Sequence, residues 1–282
     1  MFIDLARCRL FFDVVGPGLA AGPADMAQRP TLICLHGGPG FDHTTLRPYF
    51  DRFANTHQVI YIDHRGNGRS SGDFADMTLD QWADDVAHFC TALEIEKPVV
   101  LGQSFGGMVA MHYAARHPHG PSKLVLSSTA ARMRYDVTLQ VFARLGGDEA
   151  VQVARAMLDN PSAETFARYE QVCLPLYNPK PKPDAAAAAA ASRVIRKDAV
   201  TVHFFKNELQ TMDLRPSLSA IACPVLVIAS GHDPITPTVC GEELAAAIGT
   251  QARLELFPHC GHGSYRDDPA GTEAVLRTFL AG

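Results

Sequence analysis

Ser104 lies in "GQSFGG" (102 to 107), a G-x-S-x-G pattern between a β-branched run and an apolar stretch of helical character. Gly102 and Gly106 leave room for the chain to fold sharply, so the serine Oγ should project from the C-terminal edge of a sheet in a strained conformation. The next residue, Phe105, offers an amide at the start of a helix, where donors are unpaired and the dipole favours negative charge. The bland alternative is a tight strand-to-helix connection whose serine only caps the helix, and the pattern alone does not separate the two. A serine attacks a carbonyl poorly without a base, and the base works best when a carboxylate orients it. Both follow in the chain. "VLVIASGHDPITP" places Asp233 just past an apolar run, and "LELFPHCGHGSY" places His262 a few residues past the next one. His259 and His232 compete for the base. His262 is preferred for its distance from the strand and because Gly261 and Gly263 let its loop bend.

A second oxyanion donor should come from a loop after an early strand, and "LICLHGGPGFDH" supplies glycines at 37, 38 and 40. The Gly38 amide is the expected donor, with Phe105 as its partner. Phosphate binding is the rival reading of such a loop, but no G-K-[ST] follows it and G-x-G-x-x-G is missing.

These groups need a scaffold that brings strand ends together. Short β-rich runs recur at 9 to 15, 30 to 36, 57 to 63, 97 to 102, 123 to 128, 224 to 230 and 252 to 257, several of them apolar at nearly every position. Strands covered on both faces read that way, which predicts an α/β fold with a mainly parallel sheet. Between two runs, Leu79, Trp82, Val86, Phe89 and Leu93 fall at helical spacing behind a capping box of Thr78 and Gln81. That stripe gives Trp82 a packing role. The strand-helix alternation stops after Ser128 and resumes near Pro224, and the residues between read as an inserted helical cap. Within it a proline-rich stretch gives way at Asp184, an expected N-cap, to a run of alanines, read as a solvent-facing hinge and helix. Met133, Tyr135, Phe142, Phe166, Tyr169, Leu176, Tyr177, Phe204 and Phe205 make the cap largely apolar. Most are expected to pack it against the core, with a few facing a substrate that carries an apolar acyl or aryl group.

Composition narrows the classes of partner. The 282 residues are 47% hydrophobic and 20% charged with a formal net charge of -5, which gives no nucleic-acid footprint and favours a small-molecule partner. Seven scattered cysteines without a C-x-x-C pair suggest neither a disulfide framework nor a cysteine-rich zinc site. Asp4, Arg7, Arg9 and Asp13 interrupt the apolar N-terminus, so neither a signal peptide nor a membrane span is expected and a cytoplasmic location is.

Together "HGGPG" (36 to 40), "DHRGNGRS" (63 to 70), "GQSFGG" and the Asp233 and His262 loops resemble the α/β-hydrolase superfamily, more narrowly its proline iminopeptidase branch. The resemblance implies an eight-stranded, mostly parallel sheet flanked by helices, with a core of residues 1–129 and 216–282 and a helical cap of residues 130–215. It also implies an acyl-enzyme on Ser104 with His262 as base and Asp233 as its orienter, without metal or organic cofactor. In that family the "DHRGNGRS" loop is structural, so Asp63 and Arg65 receive no chemistry. Proline iminopeptidases bind the substrate amine with carboxylates, one of which directly follows the triad aspartate in some relatives. Here Pro234 stands there, and Glu208 lies near a second such position. The expected activity is therefore hydrolysis of an ester, lactone or small amide. Release of an N-terminal proline is the alternative, and a non-catalytic receptor on the same fold the alternative of another class. Carbon–carbon hydrolysis and acyl transfer use the same triad. Epoxide hydrolase or dehalogenase chemistry needs an aspartate where Ser104 stands.

Overall fold

The computed structural model describes residues 1–21, 25–179 and 192–282. The seven β-rich runs form strands β2 (Cys8–Val15), β5 (Thr31–Leu35), β6 (Gln58–Ile62), β7 (Val99–Gln103), β8 (Lys123–Ser127), β9 (Val225–Ser230) and β10 (Ala252–Phe257). Three strands escaped the sequence reading: β1 (Phe2–Leu5) and the short hairpin β3 (Leu19–Ala21) with β4 (Met26–Gln28). They are edge or surface strands with half-exposed or exposed side chains, so burial wrote no continuous apolar run into them.

The main sheet has eight strands in the order β1-β2-β6-β5-β7-β8-β9-β10. β1 and β2 pair antiparallel, β2 joins β6 antiparallel, and every pairing from β6 to β10 is parallel. The expected eight-stranded, mostly parallel α/β fold is therefore borne out. Alternate side chains of the central strands enter two separate cores, with Ile33, Val100 and Leu124 on one face and Leu32, Val99 and Val125 on the other. The first face is covered by α1 (Leu79–Ala92) and α2 (Phe105–Arg116), the second by a 3₁₀ segment (Tyr49–Asn55) and the C-terminal helix.

β5 pairs with β6 on one side and β7 on the other, so the chain reverses its direction of winding at β5. In an open α/β sheet a crevice forms outside the carboxyl ends of the strands at such a reversal. The "HGGPG" loop leaves β5 there and Ser104 leaves β7.

Trp82 is fully buried, its Nε1 donates to the Arg65 carbonyl at 3.0 Å, and it packs as the α1 stripe requires. The capping box is only half made. Thr78 accepts from the Gln81 amide, but the Gln81 side chain donates to Asp85 instead of reaching back. Leu93 lies past the helix end and is exposed, because α1 stops at Ala92.

Between β8 and β9 the described residues form α3 (Tyr135–Asp159), broken by a kink at Gly147, then α4 (Ala163–Val172) and α5 (Asp198–Asn207). Phe204 of α5 meets Phe105 edge-on at 5.0 Å between centroids and Trp82 at 6.0 Å, fastening this segment to α1 and α2. Such aromatic pairs contribute about 0.5–1.5 kcal/mol beyond their buried area. Asp184 and the alanine run fall outside the described residues. The chain continues with α6 (Thr238–Ile248), a single helical turn α7 (Ser264–Asp267) and α8 (Pro269–Ala281). Among the described residues no helix is long and apolar enough to cross a membrane.

Candidate active site

Ser104 sits between β7 and α2 with φ 55° and ψ −119°, the strained turn that the flanking glycines predict. Their role is spatial. A β-carbon at Gly102 would lie 2.3 Å from the Gly106 carbonyl oxygen, and one at Gly106 would lie 2.2 Å from the Leu35 oxygen. The elbow thus closes only if both positions lack side chains. The Ser104 side chain makes no helix-capping hydrogen bond, so the capping alternative for this serine falls away. Phe105 holds the first position of α2, where its amide has no acceptor within the helix, while its ring turns into the core against Trp82 and Phe204.

The "HGGPG" loop lies directly against this elbow, since a β-carbon on Gly37 would come within 3.2 Å of Ser104 Cβ. His36 holds the loop from below. Its Nδ1 pairs with the Gly37 carbonyl at 2.7 Å, and its Nε2 accepts from the His64 amide at 3.3 Å. That arrangement needs a neutral ring, and burial lowers the His36 pKa accordingly.

His262 Nδ1 pairs with Asp233 Oδ2 at 2.8 Å, and both residues are buried. Asp233 is fixed in turn. Its Oδ1 accepts from the amides of Ile235 and Thr236 at 3.0 and 2.9 Å, and the Thr236 hydroxyl donates to Oδ2 at 2.8 Å. Of the competing histidines, His259 is exposed and His232 is only half-buried.

A cavity of about 310 Å³ joins these parts. Gly38, Ser104 and His262 line it, with Asp233 behind His262. The helical segment between β8 and β9 contributes Met133, Phe166, Tyr169, Tyr177, Phe204 and Phe205. Six of the nine apolar cap residues singled out in the sequence therefore line the cavity, more than the few expected to, while all nine belong to or pack against the main hydrophobic core as expected.

The same segment grips both loops. On one side the His262 amide donates to the Tyr177 carbonyl at 2.6 Å, the Tyr177 ring meets the imidazole edge-on at 5.0 Å, and Asn178 Nδ2 donates to Asp267 at 2.9 Å. On the other, the Lys197 amide donates to the Gly40 carbonyl at 2.7 Å and Thr201 Oγ1 to the Pro39 carbonyl at 2.5 Å. Thr201 carried no sequence signal, and Tyr177 was expected only as an apolar cap residue, because each holds its loop through a hydroxyl or carbonyl whose partner lies elsewhere in the chain. Gln103, the variable position of G-x-S-x-G, was also passed over. It is buried and lines the cavity.

Asp63 accepts from the His43 ring at 2.6 Å and from the Arg69 amide at 2.9 Å, while Asn67 Oδ1 accepts from the Gly40 amide at 2.6 Å. Burial alone would raise the Asp63 pKa. The hydrogen bond from His43 and the other donors outweigh it and bring the value to about 2. Asp42, His43 and Asp63 form a buried group of metal-ligand type. Its oxygens are already engaged, for Arg69 Nη1 lies 2.9 Å from Asp42 and 3.5 Å from Asp63. A cation there would displace a guanidinium, and the group reads as the brace under the "HGGPG" loop. Arg65 likewise forms a two-pronged buried pair with Asp85, at 2.8 and 2.6 Å.

Glu208 lies away from the cavity lining. Its Oε2 accepts from the Leu79 amide at 2.9 Å, at the N-terminus of α1, where a carboxylate is favoured by the helix dipole.

The chain thus sets a strand-to-helix serine elbow at the switch point of a mainly parallel sheet and a histidine–carboxylate pair around one apolar cavity, within an α/β fold. A family model for the alpha/beta hydrolase fold matches residues 30–269, and the chain belongs to that family. Among curated proteins it is similar to "Putative carbamate hydrolase RutD" of Caulobacter sp. (strain K31), 28% identical over 270 residues and covering 93% of each chain. Among solved structures it is similar to the proline iminopeptidase of Mycobacterium smegmatis, with a TM-score of 0.80 and 25% identity, covering 100% of this chain and 97% of that one. It also matches the enol-lactonase of Burkholderia xenovorans LB400 with a TM-score of 0.72 at 22% identity over the whole of both chains, a likeness of fold.

Proposed function

We propose that the protein is a serine hydrolase that cleaves a carboxylic ester, lactone or small amide bearing an apolar group, through an acyl-enzyme on Ser104. The observation that carries this reading is the shared cavity: a strained, uncapped Ser104 and an Asp233-paired His262 line one largely apolar space beside Gly38. His262 Nε2 takes the proton from Ser104 Oγ as that oxygen bonds to the substrate carbonyl carbon. The carbonyl oxygen becomes an oxyanion held by the amides of Gly38 and Phe105, where losing one donor typically costs about 2.7–4 kcal/mol of barrier. The imidazolium, steadied by Asp233, then protonates the leaving group as the bond to it breaks. Water activated by the same imidazole releases the acid and restores Ser104. In this reading residues 130–215 are the cap that closes the site over a core of residues 1–129 and 216–282.

The names of the relatives, a carbamate hydrolase, a proline iminopeptidase and an enol-lactonase, describe reactions of the same general kind. Release of an N-terminal proline ranks second. An ammonium in a closed apolar site needs a carboxylate partner. Among the described residues lining the cavity none is Asp or Glu, Glu208 is engaged at α1, and Pro234 stands after Asp233. A fluorophosphonate probe, with prolyl and acyl derivatives of one chromogenic leaving group, tests both points. The expected result is stoichiometric labelling that Ser104→Ala abolishes, with faster release from the acyl compounds. Folded protein that resists the probe would point to a receptor, and selective release from the prolyl compound would reverse the ranking.

A further inference from the structure

The two oxyanion donors of the hydrolase reading are anchored in different ways. Phe105 opens α2, and its ring is locked in the core against Trp82 and Phe204. Gly38 sits in a loop, and its amide has no acceptor among the described residues. Its neighbours carry the anchors. Upstream, His36 holds the Gly37 carbonyl from the core. Downstream, residues 195–201 of the helical segment run along the loop: the Ile195 amide donates to Asp42 Oδ2 at 3.1 Å, the Lys197 amide to the Gly40 carbonyl at 2.7 Å, and Thr201 Oγ1 to the Pro39 carbonyl at 2.5 Å. The Arg196 guanidinium also lies over the Phe41 ring at 5.3 Å. Of these ties the one from Thr201 falls nearest to Gly38 in the chain, and a side chain makes it. A threonine hydroxyl within a helix can turn back onto a carbonyl of its own preceding turn, but here it reaches across to the loop.

We propose that Thr201 is a positioning residue: its hydroxyl, by holding the Pro39 carbonyl, keeps the Gly38 amide where the oxyanion forms. The proposal rests on the serine-hydrolase reading, and on Gly38 as a donor within it. The peptide between Pro39 and Gly40 is planar, and its other end, the Gly40 amide, donates to Asn67 Oδ1 at 2.6 Å. Thr201 and Asn67 therefore fix that plane from both ends, one residue beyond Gly38. Pro39 has no N–H with which to add a hold of its own. The approach is close, for a β-carbon on Gly40 would stand 2.2 Å from Thr201 Oγ1 and 3.0 Å from the Lys197 carbonyl oxygen. Thr201 is itself buried. A valine in its place would keep the shape but leave the Pro39 carbonyl without its donor and the loop free to turn. Displacing a reacting group by about 1 Å typically costs on the order of 10²-fold in rate, and removing an oxyanion donor outright about 10²–10³-fold.

The test measures kcat and KM on a short-chain chromogenic ester, and the inhibition constant of a trifluoromethyl ketone with the same acyl chain. Ser104 Oγ adds to the ketone carbon, its proton passes to His262, and the ketone oxygen becomes an oxyanion, so this constant reports on the oxyanion hole. Thr201→Val is expected to lower kcat about tenfold or more and to weaken the ketone by a similar factor, with KM within about twofold of wild type. Thr201→Ser keeps the hydroxyl and should stay within about threefold of wild type in both. A threonine that only docked the segment would lower the melting temperature of Thr201→Val and leave kcat and ketone affinity of the folded protein unchanged. That result overturns the proposal, as does a fall in kcat without weaker ketone binding, or a Thr201→Ser protein as impaired as Thr201→Val. If Thr201→Val does not fold, Thr201→Ala is compared with Thr201→Ser in its place; failure of both to fold marks a structural residue and also overturns the proposal. Wild-type protein that resists the fluorophosphonate sinks the hydrolase reading itself. Wild-type protein that is labelled and turns over, with variants that match it, sinks this proposal alone.

Discussion

Replacing Gly261 by alanine tests whether the helical segment over the site holds His262 in place. The backbone at Gly261 lies outside the left-handed region, so what the position demands is space. A β-carbon there would stand 2.0 Å from the Tyr177 carbonyl oxygen and 2.9 Å from both Asn178 Cα and Pro179 Cδ. Non-bonded carbon contacts settle near 3.5–4.0 Å, so one side must retreat by more than about 1 Å. The same Tyr177 oxygen accepts the His262 amide at 2.6 Å, one residue from the intruding methyl. If the Tyr177 segment retreats, that hydrogen bond is lost, at about 0.5–1.5 kcal/mol, in addition to an overpacking cost of about 1–3 kcal/mol. If the His262 loop retreats, the imidazole moves relative to Ser104, and a displacement of about 1 Å typically costs on the order of 10²-fold in rate. Thermal melting reads the first outcome, and kcat on a short-chain chromogenic ester together with the rate of phosphonate labelling reads the second. A Gly261→Ala protein with an unchanged melting temperature and kcat within twofold of wild type would show that the segment does not restrain the base.

Two further outcomes follow from the electrostatics. Burial lowers the pKa of His36, His57 and His64 from 6.5, so the unfolded chain takes up protons that the folded one refuses, and stability should fall as pH drops below about 6.5. Asp63, held at about 2 against 3.8, acts in a lower window. Its contribution of roughly 2 kcal/mol is present above 3.8 and lost as pH falls towards 2. Urea midpoints measured from pH 8 to pH 5 check the histidines, and a flat profile over that range would contradict their burial as neutral rings. Finally, Glu208→Ala removes an acceptor from the Leu79 amide and should lower stability by about 1 kcal/mol while leaving the ratio of prolyl to acyl cleavage unchanged. A selective loss of prolyl cleavage would instead make Glu208 an amine ligand.

The chain itself determined the parts whose physics is local. Strands β5 to β9 were legible because two-sided burial demands apolar residues at successive positions, and the Ser104 elbow because a turn that tight excludes side chains at 102 and 106. Trp82 was legible from the helical stripe that it shares with Val86 and Phe89. Edge strand β1 and the β3–β4 hairpin were not, because half-exposed strands make no such demand. The half-made capping box at Thr78 shows the limit of local rules, since Gln81 had a better partner in Asp85, beside Arg65 in a buried pair that only the fold assembles. Only the tertiary structure decided which aromatic residues of the helical segment face the cavity, that Glu208 caps α1, and that Tyr177 and Lys197 tie down the two loops of the site. Each of these depends on which groups meet across long stretches of sequence. A residue's own neighbours fix its turn or its stripe, but the partner that satisfies its polar atoms is set by the packing of the whole chain.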